Sequence, residues 1–328
     1  MYRKINSNPN IYAMFIPLPN NPLKSLNCYV VKTKERNLII DTGFNMPECY
    51  EVLVNGLKEL EIDIDKTDLF LTHLHADHTG LASAIMKDDS TIYMSRTDYE
   101  YILRNLNNEY WESMDISYLM EGFGEEELRK IRSVNPSKVF NITKIFDAVI
   151  VEDNTKFNIG EYEFTCVFTP GHTPGHMCLY MEKEKILFSG DHILFDISPN
   201  ITRWKDVDNA LADYLNSLEK IKKFDIRLTL PGHRDNNMDV YERIEQLIHH
   251  HDERLKETLR IVSSEPGLHA YAIAGQMRWA MKGKKWNEAP VQQKWFAVGE
   301  TLAHLDYLEA KNKVYKELKD GKYCYYVK

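Results

Sequence analysis

Thr72-His73-Leu74-His75-Ala76-Asp77-His78 directly follows the apolar run Leu69-Phe70-Leu71 and sets three imidazoles and a carboxylate within six residues. Residues two apart in an extended or loop segment, such as His73 and His75, can turn toward one point and bind one cation. Once the chain bends after the strand, Asp77 and His78 face a second point close by, so one loop can feed two metals. Neutral imidazole nitrogen together with carboxylate oxygen suits borderline divalent ions, zinc above all, with iron or manganese as alternatives. At this chain's His and Asp frequencies the pattern should arise by accident in about one chain in a thousand, so a merely polar surface loop is the weaker reading.

Around this stretch the pattern alternates between strands and helices. Strands are predicted over 11–16, 27–32 and 37–40, the last ending in Asp41-Thr42-Gly43. A helix over 47–60, a strand over 68–71, a helix over 81–86 and a strand over 91–94 follow. Residues 95–137 read as a helical insertion holding Tyr99, Tyr101, Tyr110, Trp111, Tyr118 and Phe123. Those aromatics form either a lid over a substrate pocket or simple core. Strands return over 149–152, 163–168, 177–181 and 186–189, before a helix over 208–222 and a strand over 226–230. Alternation of this kind lays helices against sheets and puts function at strand ends.

Two metals need more than four ligands, and the strand ends supply them. Gly171-His172-Thr173-Pro174-Gly175-His176, Gly190-Asp191-His192 and Pro231-Gly232-His233 each follow a predicted strand, with small residues that let the backbone turn at a crowded centre. With these residues assembled, the chain resembles the metallo-β-lactamase superfamily, whose signature is His-x-His-x-Asp-His followed by a distant His, Asp and His. The likeness runs from residue 11 to about residue 240. It implies an α/β fold, a four-layer αββα sandwich with the metals at one edge of its two sheets. It also implies one metal held by His73, His75 and His172, a second by Asp77, His78 and His233, and Asp191 bridging them. Asp41 would orient a metal-bound histidine from outside the ligand set. His176 and His192 are given outer or packing roles, His249-His250-His251 a solvated helix face, and His269 and His304 structural roles without partners.

A two-metal centre lowers the pKa of bound water and polarises a carbonyl or phosphoryl oxygen. The implied activity is therefore hydrolysis by a metal-bridging hydroxide, with Asp77 and Asp191 as the catalytic residues. The segment from Gly171 to His176 is similar to that of glyoxalase II-type thioesterases and of lactonases. No cysteine joins the ligands, unlike the antibiotic-degrading classes that use one. A small-molecule thioester or lactone is the expected substrate, although no set of glutathione-binding basic residues can be placed.

At 328 residues and 43% apolar content, the chain suits one large core with an appendage, here a catalytic part over 1–240 and a tail over 241–328. Residues 253–328 carry 14 Lys+Arg against 9 Asp+Glu within a chain of net charge −8, so the tail is basic and the body acidic. Helices, a strand over 313–318, a turn over 319–322 and a strand over 323–327 resemble a winged helix. A similar module occurs in a branch of the superfamily that includes endoribonucleases. An RNA phosphodiesterase is therefore the alternative, and a non-catalytic nucleic-acid-binding protein a third reading. Against both, the recognition-type helix over 291–309 holds Lys294 as its only Lys or Arg beside Glu300, Asp306 and Glu309. Arg278, Lys282, Lys284 and Lys285, interleaved with Trp279 and Trp286, either stack bases or pack on the body, and packing is favoured. Nucleic acid is thus the less favoured partner. No apolar run reaches membrane length and the start lacks a signal-peptide core, so a cytoplasmic protein with no membrane partner is expected. The five scattered cysteines read as reduced thiols.

Overall fold

Strand sequences apolar on both faces, such as Cys28-Tyr29-Val30-Val31 and Leu38-Ile39-Ile40, lie at the middle of a seven-stranded sheet. The computed structural model describes residues 2–87, 89–142, 144–280 and 283–328. Its first sheet follows chain order: β1 (Tyr2–Ser7), β2 (Asn10–Pro17), β3 (Ser25–Lys32), β4 (Asn37–Ile40), β5 (Thr67–Phe70), β6 (Ile92–Ser95) and β7 (Val149–Val151). The second sheet has five strands, β8 (Lys156–Ile159), β9 (Tyr162–Phe168), β10 (Met177–Met181), β11 (Ile186–Gly190) and β12 (Leu228–Pro231), side by side in the same sequence.

Side-chain alternation explains the layering. Ile11, Ala13, Val31, Ile40 and Phe70 of the first sheet meet Phe164, Cys166, Leu179 and Phe188 of the second in one core. The opposite face of the first sheet, with Met14, Ile16, Val30 and Ile39, packs on α1 (Pro47–Glu59) and on the one-turn helices α2 (Ala76–Thr79) and α3 (Ala82–Ile85). The outer face of the second sheet, with Cys178, Tyr180 and Leu187, packs beneath α8 (Ala210–Ile221) and the first turns of α9 (Val240–Ser264). Helix, sheet, sheet and helix stack as the expected αββα sandwich.

The insertion consists of α4 (Arg96–Asn105), α5 (Asn108–Met120), α6 (Glu125–Val134) and α7 (Pro136–Val139). Beyond α9 come α10 (Ala270–Gln276), α11 (Val291–Ala310) and the hairpin β13 (Val314–Lys319) and β14 (Lys322–Val327). These two parts share a core of Tyr118, Phe123, Leu128 and Ile131 with Ile261, Ile273, Trp295 and Leu302. Tyr118 and Trp295 stack with ring centroids 3.7 Å apart. Tyr118 and Phe123 are therefore core, not lid, whereas Tyr101 packs edge-on to Trp204 and Tyr110 edge-on to Tyr101. Trp279 and Trp286 pack against the same core, and Lys294 is buried with its Nζ 2.9 Å from Glu127 Oε1. Arg278, Lys284 and Lys285 are exposed, and Lys282 lies outside the described residues.

Several expectations need correction. β1 and β8 lie outside the predicted strands because their sequences carry little strand signal: Tyr2–Ser7 is mostly polar and exposed, and Lys156–Ile159 is four residues long. The triple histidine is not one solvated face: His249 is exposed, but His251 is buried, with its Nδ1 3.2 Å from His304 Nε2. Ile244, Leu247, His251, Thr258 and Ile261 recur at helical spacing, which turns His251 inward and gives His304 a partner. His269 caps α10 by accepting the Ala272 N–H at 3.1 Å. All five cysteines are unpaired. Among the described residues no helix is long and apolar enough to cross a membrane.

Candidate metal centre

The expected ligands all lie where strands end at one edge of the sandwich. His73, His75, Asp77 and His78 follow β5, His172 follows β9, Asp191 follows β11 and His233 follows β12. Their inward atoms converge. His73 Nε2 is 3.0 Å and His172 Nε2 3.1 Å from His75 Nδ1, forming one triad. His233 Nε2 is 3.3 Å from His78 Nε2 and 3.4 Å from Asp77 Oδ2, forming another. Asp191 lies between them, its Oδ2 3.7 Å from His172 Nε2 and 3.5 Å from His233 Nε2.

Outer partners fix the ring orientations. His78 Nδ1 donates to Asp41 Oδ2 at 2.7 Å, His172 Nδ1 to the Asn200 carbonyl at 2.8 Å, and His233 Nδ1 to the Ser25 carbonyl at 2.8 Å. Because these partners only accept, each Nδ1 keeps its proton, and the neutral form of each ring turns the Nε2 lone pair inward, the tautomer a metal requires. Asp41, at the end of β4, also accepts the Thr72 N–H at 2.9 Å and the Thr72 hydroxyl at 2.8 Å, tying the histidine loop to the first sheet. His176 has the outer role expected of it: its Nε2 accepts the Asp191 N–H at 3.1 Å. His192 is buried between His176 and Tyr214, and both of its ring nitrogens lack partners.

Two glycines make room for this approach. A Cβ at Gly190, where φ is +47°, would come 2.7 Å from His176 Nε2, and one at Gly232 would come 2.5 Å from Asp191 Oδ1. The Gly232 N–H in turn binds the Gly190 carbonyl at 2.8 Å, locking two ligand-bearing strand ends together.

The donor chemistry fits divalent cations. Buried Asp191 Oδ1 has no hydrogen-bond partner, the mark of an oxygen built for another ligand. Burial, then the neighbouring imidazoles, pushes His73 well below its usual value and His75 down to about 3, so both are neutral. Burial opposes ionisation of Asp77, yet the His233 hydrogen bond and His78 hold it at about 2. His78 and His233 go the other way: burial lowers them, but Asp41 and Asp191 raise the first, and Asp191 and Asp77 the second. Buried carboxylates here demand positive charge, which divalent ions supply while displacing protons.

One residue escaped the sequence reading. Asp98, in the first turn of α4 and fully buried, accepts the Leu74 N–H at 2.9 Å, the Thr173 hydroxyl at 2.6 Å and the Gly175 N–H at 2.6 Å. Leu74 sits between His73 and His75, and Thr173 follows His172, so this carboxyl clamps both loops of the first triad. Burial pushes it up to about 7 although all three groups donate to it. Asp98→Asn turns an amide toward these donors and should cost about 1–3 kcal/mol in urea unfolding. A change within about 0.5 kcal/mol, as for an ordinary surface site, would contradict the clamp.

Comparisons with known proteins define the class. Residues 22–233 match the sequence model of the metallo-β-lactamase superfamily. The chain belongs to that superfamily, and at that level it is a hydrolase with a His/Asp cluster suited to metal. It is similar to the probable metallo-hydrolase YqjP of Bacillus subtilis, 25% identical over 93% of this chain and 94% of that protein. It is also similar to the lactamase-like protein nscB of Aspergillus fumigatus, 26% identical over 74% of this chain, a match that spans only 58% of nscB. Among solved structures, a metallo-β-lactamase family protein from Thermus thermophilus aligns with a TM-score of 0.80 at 25% identity over 97% of this chain and 98% of that one. A β-lactamase domain protein from Burkholderia ambifaria shares the fold, with a TM-score of 0.83 at 23% identity over 100% of this chain and 94% of that one.

Proposed function

We propose that this chain hydrolyses an ester-like acyl bond, a thioester or lactone, of a small molecule, using two divalent ions. His73, His75 and His172 would hold one ion, Asp77, His78 and His233 the other, and Asp191 would serve both. The position of Asp191 between the two triads, with one oxygen free of partners, carries this reading. Zinc suits the donor set best, with iron or manganese as alternatives. Bound there, the ions would make water nucleophilic near neutrality and polarise the scissile carbonyl. Asp191 would orient the attacking water, and Asp77, held ionised, would take a proton from that water and deliver it to the leaving group.

Two features favour an acyl substrate over a phosphodiester. Trp204 lies beside His75, with ring centroids 6.1 Å apart, and Tyr101 lies edge-on to it at 5.5 Å, giving the first triad an aromatic flank. The tail meanwhile spends Lys294 on Glu127 and both interleaved tryptophans on packing, which leaves α11 poorly equipped for phosphate. The test is a panel of thioesters, lactones, esters and single-stranded RNA offered to the full chain loaded with zinc or manganese. Acyl turnover with intact RNA is expected. RNA cleavage abolished by His73→Ala, without acyl turnover, would install the phosphodiesterase instead, and tight nucleic-acid binding without turnover the non-catalytic reading.

A further inference from the structure

We infer that α11 serves the metal centre: Glu300 holds Asn200 so that the Asn200 main-chain carbonyl fixes the His172 ring. This rests on the reading of His172 as a ligand. The relay is continuous. Asn200 accepts from His172 Nδ1 at 2.8 Å, while its own side-chain amide donates to Glu300 Oε2 at 3.0 Å and to the Phe296 carbonyl at 3.4 Å. Glu300 Oε1 faces Arg254 Nε at 3.5 Å, and Arg254 is anchored by Glu257 at 2.7 Å and by the Arg278 carbonyl at 2.8 Å.

The same helix grips the next residues of the loop. The Arg203 N–H binds the Gly299 carbonyl at 3.1 Å, and a Cβ at Gly299 would come 2.1 Å from Thr202 Oγ1, so the helix has no side chain where the loop crosses it. Trp204 Nε1 then returns to the His172 carbonyl at 3.2 Å. His172 is thus touched from both ends of a segment, residues 200–204, that has no regular structure of its own.

The other ligands differ in this respect. His78 and His233 take their outer partners, Asp41 and Ser25, from strand ends of the first sheet, which the sandwich holds unaided. The partner of His172 is set by the tail. An outer partner governs a ligand's tautomer, orientation and basicity, and its loss typically weakens metal binding about 10–100-fold. Glu300 and Asn200 are accordingly positioning residues.

The experiment is zinc titration of the demetallated full chain against a chromophoric chelator, for the parent, Glu300→Ala, Asn200→Ala and Glu300→Gln, with thermal unfolding of each metal-free form alongside. Glu300→Ala and Asn200→Ala should weaken one of two sites about 10–100-fold and spare the other. Glu300→Gln, whose carbonyl still accepts the Asn200 amide, should stay near the parent. Asn200→Ala and Glu300→Gln decide the matter if Glu300→Ala does not fold. Folded variants that take up both ions like the parent would overturn the relay alone, as would equal weakening of both sites. A parent that binds no zinc would overturn the ligand reading with it. No substrate enters the assay, so failure of the acyl reading shows separately.

Discussion

Asp191→Ala is expected to lower kcat/KM for the proposed acyl hydrolysis by about a thousandfold. That is ~4 kcal/mol of transition-state stabilisation. It should also reduce uptake of divalent ions from two per chain to one or none. The expectation follows from position: Asp191 Oδ2 lies within 3.7 Å of ligand nitrogens from both triads. Gly232 stands against its other oxygen and offers no side chain to replace it. Kinetics with the substrate found by the panel, together with metal analysis of the same preparation, check both parts. Activity within about tenfold of the parent, with two ions retained, would remove Asp191 from the centre of the mechanism.

The largest expected loss of stability lies away from the metals, at Arg203. Its Nε donates to Asp306 Oδ2 at 2.6 Å and its Nη1 to Glu121 Oε1 at 2.6 Å, with a further short contact from Nη2 to Asp306. Tyr325 Oη donates to Glu121 Oε2 at 3.0 Å. One guanidinium thereby ties the loop after Asn200 to the insertion, to α11 and to the terminal hairpin. Arg203→Ala would leave buried Glu121 and half-buried Asp306 without their cation and should cost about 3–5 kcal/mol, the range for breaking such a cluster from one side. Urea unfolding measures it. A loss below about 1 kcal/mol, typical of an exposed ion pair, would mean that the tail and insertion are joined by their apolar core alone.

How much of this the sequence disclosed depended on how far apart the interacting residues lie. His73, His75, Asp77 and His78 were legible because one strand end delivers all four, and His172, Asp191 and His233 because each stands beside a glycine just after an apolar strand. Asp41 was legible through its family resemblance and its turn, and it accepts a hydrogen bond from His78. Asp98 was hidden because an acid three residues after Ser95 reads as an ordinary helix start, and Ser95 does cap that helix. Its three donors come from loops that meet only in the folded chain. In the sequence Glu300 reads as a charge that repels phosphate, and no local pattern pairs it with Asn200, 100 residues away. His251 is legible in the sequence after all, since the spacing of Ile244 and Leu247 places it on the buried stripe of α9. The insertion's aromatics divide between core and site flank, a division that helical spacing alone does not make.

The central claim is a two-ion centre shared by Asp191. It is tested most directly by anomalous X-ray diffraction from crystals of the zinc-loaded full chain. The account predicts two strong peaks, one among His73, His75 and His172 and one among Asp77, His78 and His233, with the Asp191 carboxylate between them. A single peak, or peaks lying elsewhere while these residues remain in contact only with one another, would contradict it.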